Sequence, residues 1–401
     1  MPDFGGETET FRATARDWQV ANFPPALKET SPPEGREMTA DQDAWRKAMG
    51  TTGWGVPTWP KAYGGGGLSR AETKVLVEEM TAVGAYNPIG GMGVIMFGPT
   101  LLEYGTEAQK QEHIPKIARA ERRWCQGFSE PGAGSDLASL TTKAEDKGDH
   151  YLVNGQKIWT SGAQTADWCF CLTRTDTSKK HEGISFLMID MDQPGVEARP
   201  IRLINDTTPF CETFFTDARV PKDNLVGPLN GGWTIAKRLL QHERQGISGA
   251  GQGAGPPPGS LPGPPLDALA RTYVGVDADG RLADPDLRRR LTDHLMEERT
   301  FQLTGRRAAE DNRGNSGPSA ASSVLKNVGS KVRIEKAELA VEVLGHQGLG
   351  WSADGFTRNE VAAIKTMLRS KSGAIAGGSW EVQLNIISKR ILGLPEATQK
   401  S

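Results

Sequence analysis

The chain reads as an α+β protein in three consecutive parts: an all-helical N-terminal domain over 1–123, a central β-barrel or sandwich domain over 124–230, and a C-terminal helical domain over 231–401. Three observations predict it. Apolar residues recur at helical spacing almost to Arg123. Between Trp124 and Val226 the period shifts toward two, with β-branched and aromatic runs punctuated by turn residues. Helical spacing returns at Gly231-Gly232-Trp233 and holds to the end. No helix-length run interrupts the central stretch, which therefore reads as a barrel or sandwich and not as βαβ units.

Residues 5–30 predict a helix that Pro24-Pro25 ends, and a second begins near Asp41, with Trp45, Ala48 and Met49 at helical spacing. A Gly/Pro/Trp-rich loop follows over Gly53–Leu68. Ser69 with Glu72 three residues on has the capping-box pattern, in which side chain and backbone at a helix start satisfy each other. Further helices are expected over 92–104 and 106–120. In the central domain Asn154-Gly155, flanked by YLV and QKIWTS, predicts a tight hairpin turn. The runs ADWCFCLTR, GISFLMIDM, GVEARPI and ETFFTDARV predict the remaining strands. Beyond them, amphipathic helices are expected over 286–312, 321–345, 357–373 and 379–392, after a Gly/Pro-rich surface loop over Gly249–Pro265.

Composition removes several function classes. Among 401 residues, 47 basic and 49 acidic side chains nearly cancel, so no basic excess points to nucleic acid. With 37% hydrophobic and 24% charged residues and no apolar run of about eighteen, a soluble protein without membrane insertion is expected. Cys125, Cys169, Cys171 and Cys211 form no C-x-x-C pair, and the N-terminus has neither a signal nor a transit pattern, so a reducing, cytoplasmic setting is expected. No glycine fingerprint follows a strand, and there is no Walker loop or nucleophile elbow. The histidines show no metal-ligand spacing, so no metal site is expected.

Four segments carry chemistry. In WCQGFSEPGAGSDL (Trp124–Leu137) small residues and hydroxyls follow a strand-like start, and turn amides exposed there can bind an anion or carbonyl. Taken alone the run is more often a plain Gly/Pro-rich connection. In NGQKIWTSGA (Asn154–Ala163) Trp159 beside Thr160 and Ser161 offers an aromatic face with hydroxyls, suited to a flat heteroaromatic ligand or to an ordinary core. On the helix opening at Trp233, Glu243 stands on the apolar stripe with Ala236, Leu240 and Ile247, and no helical neighbour offers it a cation. A carboxylate so placed is expected to have a raised pKa, a useful trait in a general base, although a distant arginine could pair with it instead. In IAGGSWEVQLNIISKRILGL (Ile375–Leu394) two glycines and a serine open a helix whose start a ligand can approach closely.

Together these segments resemble the acyl-CoA dehydrogenase family over nearly the whole chain. WCQGFSEPGAGSDLASLTTKA and YLVNGQKIWTSGAQTADW look like the two signature runs of its middle domain, GTEAQKQEHIPKIARAE like the helix before them, and SWEVQLNIISKRILGLP like its last helix. The resemblance implies a helical N-domain, a middle β domain and a C-terminal four-helix bundle, with non-covalent FAD in a homo- or hetero-oligomer. It implies oxidation of an acyl-CoA to its trans-2,3-enoyl form, with electron-transferring flavoprotein as the acceptor. It implies flavin contacts from Gln126, Phe128, Ser129, Trp159, Thr160, Ser161, Ser379 and Glu381, and more loosely from Arg271. The run Glu342, Val343, Leu344, Gly345, His346 matches one that reaches a neighbouring subunit's FAD, and Ser135 a position that meets the acyl-CoA.

One departure concerns the base. Many members carry their catalytic glutamate just before the Gly-Thr/Ser of the C-terminal segment, where this chain has Gly377. A second group, resembling isovaleryl-CoA, long-chain and steroid-side-chain enzymes, carries it in a Glu-Arg pair on the helix opening the C-domain, which Glu243-Arg244 matches. Glu243 is therefore the expected base, with Arg244 and Gly377 next to the substrate. Glycine at 377 leaves volume for a branched or ring-bearing acyl group. It also leaves open an oxidase, a desulfinase or a non-catalytic partner subunit as alternatives.

Overall fold

The computed structural model describes residues 6–28, 37–247, 265–311, 322–352 and 354–395, but not the side chains of 6–7, 243–247, 309–311 and 322. The expected loop over Gly249–Pro265 lies almost wholly outside them. The chain forms two compact units, one running through the N-terminal helices and the strands to His242, the other holding the helices from Leu266 on.

The first unit opens with α1 (Gly6–Asn22), which stops before Pro24-Pro25, and α2 (Ala40–Thr52). Helix α3 (Arg70–Val83) begins at the predicted capping box, with Ser69 and Glu72 bonded reciprocally. A π-turn over Gly93–Phe97 leads into α4 (Gly98–Tyr104), and α5 (Glu107–Ala118) closes the helical layer. Seven strands follow: β1 (Trp124–Gly127), β2 (Lys143–Asp146), β3 (His150–Ser161), β4 (Trp168–Arg174), β5 (Ile184–Asp190), β6 (Val196–Ile201) and β7 (Phe210–Pro221). They make one mixed sheet in the order β1-β4-β2-β3-β7-β6, with β5 on β4. Helices and sheet meet through aromatic rings. Phe97 stacks on Trp124 at 4.0 Å between centroids and on Phe170 at 5.3 Å. All four cysteines are buried and free, as small apolar side chains in the sheet's second core.

The hairpin expected at Asn154-Gly155 does not form. Strand β3 runs straight through it, paired with β7 on both sides of a register shift between Val153 and Gly155. The dipeptide serves a bulge instead: Gly155 takes φ 152, and a Cβ there would lie 2.6 Å from Thr142 Oγ1. Asn154 Nδ2 donates to Asp217 Oδ1 at 2.9 Å, and the Asp217 amide donates back to Asn154 Oδ1 at 2.9 Å. Asx side chains adapt to turns and bulges alike, so the dipeptide alone does not separate the two.

Helix α6 (Gly232–Ile247) leaves the sheet region with Ile235, Ala236 and Leu239 buried. In the second unit α7 (Leu266–Tyr273), α8 (Pro285–Asp311), α10 (Arg358–Ser370) and α11 (Trp380–Ile386) each pack on α9 (Ser322–Leu344). Leu266, Leu287, Leu291, Leu339 and Val343 form its core. Among the described residues no helix is long and apolar enough to cross a membrane.

Candidate active site

The signature turn after β1 is built on buried charge. Lys157 of β3 is fully buried; its Nζ donates to the Phe128 carbonyl at 3.0 Å and to Glu130 Oε1 at 2.8 Å. Glu130 also accepts from the Thr141 amide (2.7 Å), the Thr141 hydroxyl (2.8 Å) and the Thr142 amide (2.8 Å). Arg174 of β4, itself buried, donates to the carbonyls of Ala138 at 2.6 Å and Leu140 at 3.2 Å. Three charged side chains thus hold both ends of a turn that has little side chain of its own. Sequence reading missed all three. The signal was a lysine in the period-two run of β3, where a solvent-facing position is the ordinary expectation.

Burial pushes the Glu130 carboxyl up, but Lys157 and the donated hydrogen bonds outweigh it and bring it from an ordinary 4.5 down to about 2. Because the folded value is depressed, the ionised carboxylate stabilises the fold above the unfolded value. That contribution is lost as pH falls from about 4.5 toward 2. Urea midpoints measured across this range are expected to fall steadily in the wild type and to flatten in Glu130→Gln; an unchanged profile in the variant would assign the acid sensitivity to other groups.

Around this frame the expected ligand residues separate. The Phe128 ring lies in the core, at right angles to Phe170 (6.0 Å) and Phe186 (6.1 Å), which leaves its backbone as the part that can meet a ligand. Gln126 and Ser129 are half-buried and Ser135 is exposed on the turn. A Cβ on Gly132 or Gly134 would meet nothing within 4 Å, which leaves their backbone open to approach.

Trp159 sits where β3 shifts register against β7 between Lys157 and Thr160. Its φ is 61, its ring stands edge-on to Phe210 at 6.0 Å, and 52% of it is exposed. A bulky residue in the left-handed region costs about 1–3 kcal/mol and persists only where its surroundings hold it. Here the fully buried Lys157 and Thr160 hold the backbone on either side. Among the described residues the Thr160 hydroxyl has no hydrogen-bond partner, and Ser161 is half-buried beside it. An exposed indole face, an orphaned hydroxyl and open glycine backbone fit FAD, a flat heteroaromatic group with many acceptors.

The second unit holds the other expected residues. Glu342 through His346 line a cleft of ≈ 680 Å³ with Tyr273 and Phe356. Within that run Val343 and Leu344 are buried, whereas Gly345 (φ 55) and His346 are exposed at the end of α9. Glu342 is gripped by both guanidinium nitrogens of Arg290 at 2.6 Å, which ties α8 to α9. Arg271 is exposed on α7, where its Nη1 donates to the Gly280 carbonyl at 3.1 Å, and Tyr273 of the same helix lines the cleft. Ser379 caps α11, accepting from the Val382 amide at 3.3 Å, and Glu381 lies exposed in the first turn. Gly377 and Gly378 precede the cap with φ 66 and 93. The backbone of Glu243 and Arg244 is helical, but the direction of their side chains lies outside the described residues.

Family profiles for the acyl-CoA dehydrogenase N-terminal, middle and C-terminal domains match residues 6–121, 125–218 and 264–392. Acyl-CoA dehydrogenase IpdE1 of Mycobacterium tuberculosis is 37% identical, over 97% of this chain and 98% of its own length. Among solved structures, the Tcur3481-Tcur3483 steroid ACAD is 29% identical with a TM-score of 0.76, covering 97% of this chain and 98% of that one. The ChsE4-ChsE5 complex from Mycobacterium tuberculosis is 29% identical with a TM-score of 0.72, covering 99% of this chain and 100% of that one. End-to-end identity, three domain matches in order and a site suited to FAD lead to one conclusion: the chain belongs to the acyl-CoA dehydrogenase family, whose members are FAD-dependent flavoprotein oxidoreductases.

Proposed function

We propose that the protein oxidises an acyl-CoA thioester bearing a branched or ring-containing acyl group to its trans-2,3-enoyl form. The observation that carries this reading is the strained, half-exposed Trp159 next to the orphaned Thr160 hydroxyl, on a signature turn held by Lys157 and Glu130. Bound FAD supplies the acceptor for the β-hydride. Gln126, Ser129, Trp159, Thr160 and Ser161 hold it on the sheet, and Ser379 and Glu381 do so at the start of α11. Glu342 to His346 serve a neighbouring subunit's cofactor, and Ser135 meets the acyl-CoA.

Glu243 takes the α-proton on its carboxylate, and the electrons of the broken C–H bond form the C2–C3 double bond as the β-hydride leaves. The Gly377 amide donates to the thioester carbonyl, whose oxygen gains charge as the α-proton departs. Nothing among the described residues accepts a hydrogen bond from that amide. Arg244 lies beside the base. Glycine at 377 leaves room near the α-carbon, and the steroid ACAD relative makes a ring-bearing acyl group the first to try. The relatives that are named as two-component complexes support a hetero-oligomer, a homo-oligomer being the other arrangement. Electron-transferring flavoprotein is the expected electron acceptor and the cytoplasm the expected compartment.

Anaerobic titration with a panel of acyl-CoAs tests this. Bleaching of the flavin's visible band is expected, faster with branched or ring-bearing acyl groups than with short straight chains. A yellow protein that no acyl-CoA bleaches would overturn the reading, and hydrogen peroxide formed in air with turnover would make the protein an oxidase.

A further inference from the structure

We propose that Lys326 and Gln383 are positioning residues that hold the Gly377–Gly378 turn and thereby aim the Gly377 amide at the substrate's thioester oxygen. This rests on the acyl-CoA dehydrogenase reading above. Two successive glycines in the left-handed region lose more conformational freedom on ordering than any other pair, so the turn needs outside restraint. It receives it at each carbonyl. Gln383, 1% exposed, reaches back from α11 and donates through Nε2 to the Gly377 carbonyl at 3.2 Å. The contact is close: a Cβ on Gly378 would lie 2.6 Å from that nitrogen. Lys326 of α9, also 1% exposed, donates to the Gly378 carbonyl and, at 3.4 Å, to that of Gly373.

The same face of α9 continues the grip. Asn327 Nδ2 donates to the Trp380 carbonyl at 3.3 Å, and Ser330 Oγ accepts from Trp380 Nε1 at 2.7 Å. An ammonium withdrawn from water is costly unless it is fully bonded. Spent on carbonyls, it forms charge-assisted bonds about twice as strong as neutral ones. Fixing the carbonyls on either side of the Gly378 nitrogen leaves the peptide planes little freedom to swing the neighbouring amide. An oxyanion donor works only when pre-aimed: removing one costs roughly 10²–10³ in rate, and a misplacement of about 1 Å roughly 10².

The test separates positioning from binding. The substrate is an acyl-CoA with sulfur at the β position, which can lose and regain an α-proton but cannot release a β-hydride. Exchange of its α-hydrogens into deuterated water, followed by mass spectrometry, reports enolisation alone. In Lys326→Met and in Gln383→Met the saturated exchange rate is expected to fall roughly tenfold to a hundredfold. The affinity for the analogue should stay within about twofold, and Lys326→Arg should recover part of the rate. Backbone hydrogen exchange in the 373–383 peptide should quicken while that of α8 does not.

Exchange at the wild-type rate in both methionine variants, or a loss confined to affinity, overturns the proposal. If Lys326→Met does not fold, Gln383→Met decides alone. If the wild type exchanges and Glu243→Gln does not, while the clamp variants behave as wild type, the clamp fails and the functional reading stands. If the wild type itself fails to exchange, both fall.

Discussion

A Glu243→Gln variant should purify yellow, with its full complement of flavin, yet reduce that flavin with acyl-CoA roughly 10²–10⁴-fold more slowly than the wild type. The substitution keeps the size and hydrogen-bonding shape of the side chain and removes only its ability to take up a proton. Binding should therefore survive while the step that needs a base does not. Rapid-mixing measurements under anaerobic conditions separate the two, because the concentration giving half-maximal rate reports binding and the plateau reports chemistry. Sequence motivates the choice: residue 377, where the family resemblance would place the base of many members, is a glycine here, and Glu243 comes four residues after the buried Leu239 on α6. A plateau within about twofold of wild type would move the base to another residue.

Lys157→Met should have the largest effect on stability, about 3–5 kcal/mol, because it removes one half of a buried ion pair and strands the other. Glu130 is left with a carboxylate in a site 5% exposed, and the Phe128 carbonyl loses its donor. The signature turn hangs from these bonds, so flavin content should fall with the urea midpoint. The double substitution Glu130→Gln/Lys157→Met removes the stranded charge and should recover a good part of the loss, since uncharged partners of similar volume are often tolerated where a half-pair is not. A single variant as stable as the wild type would mean that the pair contributes nothing net.

Much of this architecture was legible in the sequence. The Ser69–Glu72 cap, the stop at Pro24-Pro25 and the switch from helical to alternating period at Trp124 are local signals, and the structure has each of them. What was not legible depends on distant partners. Asn154-Gly155 became a bulge because β7 pairs on both sides of it. Phe128 turned inward because Phe170 and Phe186, more than forty residues on, supply a core for it. Lys157 and Lys326 look like solvated side chains until the carbonyls they serve are brought to them by the fold. Arg271, named by family resemblance, donates to a carbonyl nine residues away, a contact that the chain between them does not announce.

Strand β1 lies parallel to β4, with Trp124 opposite Trp168, while β2 and β3 come between them in the chain. A polypeptide leaving the ribosome therefore cannot lay down the signature turn when Phe128 and Ser129 emerge; it must wait for Lys157 and Arg174. Pairings between such distant segments form slowly. Until then Phe97 and Trp124, already made, lack the β4 rings of Phe170 and Trp168 that pack against them, and apolar surface exposed over such an interval favours aggregation.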